Sequence, residues 1–157
     1  MVSVTIEYVM LIPLLFTQVI VFPYVASALT SSWQESQLTI EIQDAADHMA
    51  STIQQLYITV NRDEILEGTI TQSSTIPVSI GSYPYVVDGS LNDPGDGYSK
   101  ILTVFLTLDE IGNTATASTV LGPNVKWASS SFRSTSVDAS VIVEKFSNGT
   151  LAFSFGG

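Results

Sequence analysis

The strongest constraint on the fold is an almost continuous apolar run from Tyr8 to Leu29. About 22 residues give roughly 33 Å of helix at about 1.5 Å per residue, which is enough to cross a bilayer. Glu7 is the only charged residue before Glu35. The run explains why the whole chain has a mean hydropathy of +0.34 and only 13% charged residues. It predicts a segment that must be covered by lipid or by other copies of itself.

A secretory signal peptide is an alternative interpretation of this run. The triplet Ala26-Ser27-Ala28 is typical of a signal-peptidase cleavage site. A signal peptide also needs a basic N-terminal region, whereas the first basic residue here is Arg62. The same lack of basic residues leaves the orientation in a membrane undetermined by the positive-inside rule. Earlier removal of a basic leader would account for this.

The apolar run continues into an amphipathic stretch without glycine or proline, from Ser31 to Val60. Its apolar residues recur at spacings of three and four, as on one face of a helix. We therefore predict one helix from about Thr5 to Asn61, on the order of 85 Å long. It forms the first domain, 1–62, with an apolar segment at 1–30 that lies in a membrane or in a core of like helices, and an amphipathic segment at 31–62. Pro13 and Pro23 lie inside the run and are expected to kink or interrupt the helix.

The second predicted domain, 63–157, is rich in Thr, Ser, Val and Ile, with turn residues at short intervals. This pattern predicts a sandwich-like all-β head, so the fold class is α+β. The residues Ser147-Asn148-Gly149 predict a hairpin, because Asn-Gly is a strong hairpin-turn signal. The predicted strands are Thr69–Ser74, Pro77–Ile80, Tyr83–Asp88, Lys100–Leu108, Ala115–Leu121, Lys126–Ser131, Val137–Phe146 and Thr150–Phe155.

The composition argues against several functional classes. The absence of cysteine excludes disulfides and cysteine-ligated metals. Nucleic acid is not an expected partner, because 15 acidic residues face only 5 basic ones. His48 is the only histidine, and Asp44 four residues earlier gives at most two metal ligands. We therefore expect no enzyme, no metal site and no cofactor.

Two loops contain residues that could have a chemical role. The loop from Asp88 to Gly97 concentrates oxygen donors at Asp88, Asn92, Asp93 and Asp96, which are suited to calcium but are also common in tight turns. Asn148-Gly149-Thr150 is an N-glycosylation sequon located in the predicted hairpin turn, so glycosylation at Asn148 and plain turn chemistry both remain open.

Several short motifs resemble type IV pilins and their relatives. Glu7 is a lone acid near the start of the apolar run, and Pro23-Tyr24 follows Val21-Phe22 where pilins have a proline–aromatic region. The stretch from Glu7 to Leu15 is also similar to the start of TadE-like pseudopilins. Bacterial pilins commonly close their C-terminal region with a disulfide. The cysteine-free β head is therefore closer to archaeal pilins and archaellins.

The resemblance implies a structural subunit of an extracellular pilus-like filament used in adhesion or cell–cell contact. Its partners would be copies of itself, the membrane before assembly, a prepilin peptidase and the pilus assembly machinery. The residues implied in assembly are Glu7, Pro13, Pro23 and Tyr24. A buried acid is costly unless it is paired, so Glu7 is expected to meet the α-amino group of a neighbouring subunit. The alternative is that Glu7 lies at the membrane interface, where the helix dipole favours an acid near the N-terminus. The alternatives are an archaellin, a minor pseudopilin, or a single-pass anchored surface domain that does not polymerise.

Overall fold

The computed structural model describes residues 2–95 and 97–157, with the side chains of residues 2–8 and 10 left out. The chain divides into two compact units, Met1–Gln37 and Leu38–Gly157. The predicted domain boundary at residue 62 stays a prediction.

One α-helix, α1, spans Val2–Val60 and has 59 residues. Its bounds agree with the predicted helix to within three residues at the N-terminus and one at the C-terminus. Pro13 and Pro23 both lie inside it, and the helix is assigned without interruption at either proline.

In the described residues, eight strands follow the helix and form two four-stranded sheets, which confirms the α+β fold class. The strands are β1 (Gly68–Ser73), β2 (Tyr85–Asn92), β3 (Lys100–Leu108), β4 (Thr114–Leu121), β5 (Val125–Trp127), β6 (Ser131–Arg133), β7 (Ser140–Lys145) and β8 (Leu151–Gly156). The first sheet has the order β1-β7-β8-β5, and the second has the order β4-β3-β2-β6. All pairs are antiparallel except β5 with β8, which is parallel.

The core of the second unit lies between the two sheets and the amphipathic part of α1. Strands β3 and β4 alternate strictly between core and surface, as expected for sheets with one solvated face. The helix contributes one buried stripe at the predicted spacing of three and four: Ile42, Ala45, Ala46, Met49, Ala50, Ile53, Leu56 and Val60.

Two strand predictions are wrong. Pro77–Ile80 forms no strand: Pro77 lacks an N–H, its carbonyl accepts a bond from the Tyr85 hydroxyl, and only an isolated bridge joins Ile80 to Tyr83. The predicted strand Lys126–Ser131 is divided between the two sheets as β5 and β6. Ser130 makes this corner, because its hydroxyl donates to the Ala128 carbonyl and accepts from the Phe155 N–H.

The predicted C-terminal hairpin is confirmed. Strands β7 and β8 pair antiparallel around the Asn-Gly turn, and the Phe146 N–H donates to the Thr150 carbonyl at 2.9 Å. Gly149 has a φ of 81°, which a residue with a Cβ rarely adopts.

Candidate functional site

Among the described residues, the apolar segment of α1 presents large hydrophobic side chains that are exposed. Phe22 is 75% exposed and Tyr24 is 77% exposed. Such a continuous apolar surface is far larger than a monomeric soluble protein normally shows. By length and composition, α1 contains a stretch, beginning at Leu11, that could cross a membrane.

One face of this segment forms a hollow of about 380 Å³. Four apolar side chains line it: Ile12, Leu15, Phe16 and Val19. Their positions are i, i+3, i+4 and i+7, the set of four residues that receives a side chain from a neighbouring helix in knobs-into-holes packing. The segment therefore presents the four-residue spacing that coiled-coil helices use to hold a side chain of a neighbouring helix.

The hydroxyl groups near the segment bond back to their own helix. Thr17 donates to the Pro13 carbonyl at 2.8 Å, Thr30 to the Ala26 carbonyl at 2.9 Å, and Ser31 to the Ser27 carbonyl at 3.1 Å. Ser and Thr use this i−4 bond to satisfy their hydroxyl inside a helix. An apolar environment can therefore surround these residues without leaving their hydroxyl groups unbonded.

The residues implied in assembly all lie on α1. Pro13, Pro23 and Tyr24 are exposed to solvent in the single chain. Glu7 lies within the helix, but its side chain is outside the described residues. The roles of these four residues stay predictions.

His48 lies on the amphipathic part of α1, where its Nδ1 is 3.3 Å from the Thr52 hydroxyl. Asp44 lies one turn before it, as the spacing predicted. Within residues 2–95 and 97–157, no group of three His, Asp or Glu side chains is arranged to hold a metal ion.

The oxygen-rich loop uses its carboxylates for bonds within the protein. Asp88 accepts the Gly89 N–H at 2.7 Å, and one oxygen of Asp93 accepts the Gly95 N–H at 3.1 Å. The other oxygen of Asp93 is 2.6 Å from the Lys100 ammonium, which is almost fully buried. The hydrogen bond from Lys100 lowers the pKa of Asp93.

The calcium prediction stays a prediction. Asn92 is exposed at the end of β2, and Asp96 lies outside the described residues.

Asn148 is exposed in the β7–β8 turn, where glycan attachment requires it to be. Its side-chain oxygen accepts the Thr150 N–H at 3.0 Å, which also makes it a turn-forming residue. The structure is thus compatible with either of the two interpretations of this sequon, and glycosylation stays a prediction.

Sequence reasoning missed that two lysines, Lys100 and Lys145, are buried, and Lys145 is 7% exposed at the end of β7. Its ammonium donates to the carbonyls of Val60 at 3.0 Å and Arg62 at 2.7 Å, where α1 ends. The last turn of α1 has no basic residue of its own, so the strand supplies the positive charge that favours a helix C-terminus. The alternation Val141, Val143, Lys145 would have indicated an inward-facing lysine.

No protein-family model, curated protein or solved structure matches this chain. What the protein does must therefore be inferred from its own residues.

Proposed function

We propose that this protein is the structural subunit of an extracellular, type IV pilus-like helical filament, assembled through its apolar helix and used in adhesion or cell–cell contact. The observation that carries the proposal is the exposed apolar surface of α1, with Phe22 and Tyr24 more than 70% accessible. Burying such side chains stabilises by about 1.5–3 kcal/mol each, so the segment requires a covering partner. Either lipid or other copies of the helix could supply that cover.

Two features favour copies of the helix as the final partner. The hollow lined by Ile12, Leu15, Phe16 and Val19 has the geometry of helix-on-helix packing. Between the segment and Arg62 there is also no basic residue, so the C-terminal side of the segment has no positive charge of the kind that fixes the orientation of a membrane span. The segment therefore suits a temporary stay in the membrane followed by transfer to a helical core.

In the proposed filament, Glu7 fixes the axial position of each subunit relative to its neighbour. An acid in a dehydrated helical core is expensive unless a cation neutralises it. In the proposal, Glu7 pairs with the α-amino group of a neighbouring processed subunit. Such a contact joins two different surfaces and does not close on itself, so it generates an open helical polymer.

A single-pass anchored surface domain is the second candidate, because α1 is long and apolar enough to span a bilayer. Cell fractionation distinguishes it from a filament subunit. Cells making the protein together with a pilus assembly machinery are sheared, and the released material is pelleted and viewed by immunogold electron microscopy. Labelled filaments support the proposal, whereas recovery only in the membrane fraction supports the anchor.

The variant Glu7→Ala tests the mechanism of assembly. It should abolish or strongly reduce the filaments while the protein stays in the membrane fraction. Glu35→Ala is the matched control, because it removes the next acid along the helix, outside the apolar run. A normal filament yield from Glu7→Ala would refute the role of Glu7.

A further inference from the structure

The two outer strands that flank α1 differ in how the helix protects them. The β3–β4 register continues to Leu108 and Asn113, where the Leu108 N–H donates to the Asn113 carbonyl. Backbone groups alternate in direction along an antiparallel strand, so Thr116 points to the outer edge of β4. Its carbonyl accepts the Gln43 side-chain N–H at 3.1 Å, which means that the helix caps this edge.

The outer edge of β1 has no such cap. The β1–β7 register continues to Ser74, whose N–H donates to the Ala139 carbonyl. By the same alternation, Gly68, Ile70 and Gln72 bond towards β7, whereas Thr69, Thr71 and Ser73 point outwards. Within the described part of the chain, the outward backbone groups of Thr69 and Thr71 have no hydrogen-bond partner.

The sequence of β1 also lacks the usual protection of an edge strand. Its six residues, Gly-Thr-Ile-Thr-Gln-Ser, include no charge and no proline. Natural edges normally carry lysine, proline or a bulge to prevent strand addition. All of β1 except the half-buried Ile70 is exposed.

A groove runs between this edge strand and the helix. It consists of two hollows of about 330 and 470 Å³ that share His48 and Thr75. Ile70 and Gln72 line one end, and Glu41 and Asp44 line the other. Among the described residues, no lysine or arginine lines either hollow.

We propose that this groove, which we call the β1 groove, binds an extended basic peptide from another protein as a fifth strand of the sheet. The outward backbone groups of Thr69 and Thr71 would give the main-chain bonds, as in β-strand addition. The acids Glu41 and Asp44 favour a positively charged peptide. They line the same hollow as residues of the segment that follows β1, such as Thr75 and Ile76. An antiparallel peptide therefore brings its N-terminal lysines next to these acids.

The charge of the chain argues against a second copy as the occupant. The protein has 15 acidic and 5 basic residues, and two of the basic residues, Lys100 and Lys145, are buried. A copy would therefore bring mostly like charge to Glu41 and Asp44. A partner of opposite charge is favoured instead.

The test uses the full chain in a nonionic detergent and a synthetic peptide, acetyl-Lys-Lys-Val-Thr-Val-Thr-Val-Thr-amide, labelled with fluorescein near its C-terminal end. Fluorescence anisotropy gives the Kd. The reversed sequence, with the lysines at the C-terminal end, should bind several-fold more weakly. A version with every valine and threonine N-methylated should not bind, because neither of its edges can then form the ladder of main-chain bonds.

Three protein variants locate the site. Thr71→Pro removes an outward N–H without touching a bond to β7, and it should raise the Kd about 10-fold or more. Thr71→Val keeps the N–H and should bind as the wild type does. The double variant Glu41→Gln, Asp44→Asn should weaken binding a few-fold at low salt, and the difference should vanish at about 500 mM salt.

Equal binding of the N-methylated and unmodified peptides would overturn the proposal even if Thr71→Pro failed to fold. Equal binding of the two peptide orientations would also overturn it. Self-association of the protein without peptide, lost in Thr71→Pro and kept in Thr71→Val, would assign the edge to a second copy and refute the basic partner. None of these results depends on filament formation, so the proposed function is tested separately.

Discussion

Lys145→Met tests how the contact between β7 and the end of α1 stabilises the β-rich unit. The variant removes the buried ammonium and keeps most of the apolar stem. In the wild type the ammonium bonds to two carbonyls where α1 ends, at 3.0 and 2.7 Å. The bond to Val60 is buried, so the variant leaves an unsatisfied carbonyl that costs about 1–3 kcal/mol. Loss of a positive charge at the helix C-terminus adds about 0.3–1 kcal/mol. We expect a net loss of about 2–3 kcal/mol.

For a unit of this size, such a loss lowers Tm by roughly 10 °C. Thermal unfolding is followed by Trp127 fluorescence in the full chain in detergent, with Trp33→Phe as background so that only the head reports. Lys126→Met is the matched control, because it removes the same charge from an exposed position on β5. If Lys145→Met melts at or above the temperature of the control, the desolvation cost of burying the ammonium exceeds the stabilisation from its two hydrogen bonds. The reasoning is then wrong.

Three further changes test other contacts. Burial raises the pKa of Tyr85 from 10.0 to about 12, so the folded state keeps this proton more tightly and stability should fall as pH rises from about 10 to 12. Tyr85→Phe should lose that part of the pH dependence, and identical alkaline melting curves would contradict it. A Cβ on Gly89 would overlap the Trp127 ring, so Gly89→Ala should cost about 1–3 kcal/mol in thermal melts, whereas Ser90→Ala next to it should be nearly neutral. Asn148→Gln made in the native host should lower the intact mass to that of the variant sequence by removing the glycan, and a change equal only to the added methylene group would disprove the modification.

Local sequence patterns were sufficient for the elements whose structure depends on a single face or turn. The spacing of three and four from Ile42 to Val60 predicted the stripe of α1 that is buried. The apolar run Lys100–Leu108 forms a strand with the predicted bounds, because it lies inside a sheet with a neighbour on each side. The Asn148-Gly149 turn predicted the last hairpin for a similarly local reason, the φ that glycine permits.

The elements that sequence reasoning missed depend on distant residues. β5 is only three residues long and pairs parallel with β8, whose partner residues begin at Leu151. Nothing within Val125–Trp127 indicates that pairing, and the change of sheet at Ser130 depends on its bond to Phe155. The β1 groove also could not be predicted from the sequence. It exists because Gln43 on the helix bonds to the edge of β4 and leaves the edge of β1 open.

The proposed filament does not gain its stability from the hydrophobic effect alone. In the proposal, the apolar segment would leave a bilayer whose lipid tails are as apolar as leucine, so its transfer to a helical core would change little of its exposure to water. Close packing and polar pairing must then supply the driving force. The hollow lined by Ile12, Leu15, Phe16 and Val19 can provide packing, because a neighbouring side chain would fill it. Glu7 can provide pairing, because an acid unpaired in lipid gains the most from a cation in the core.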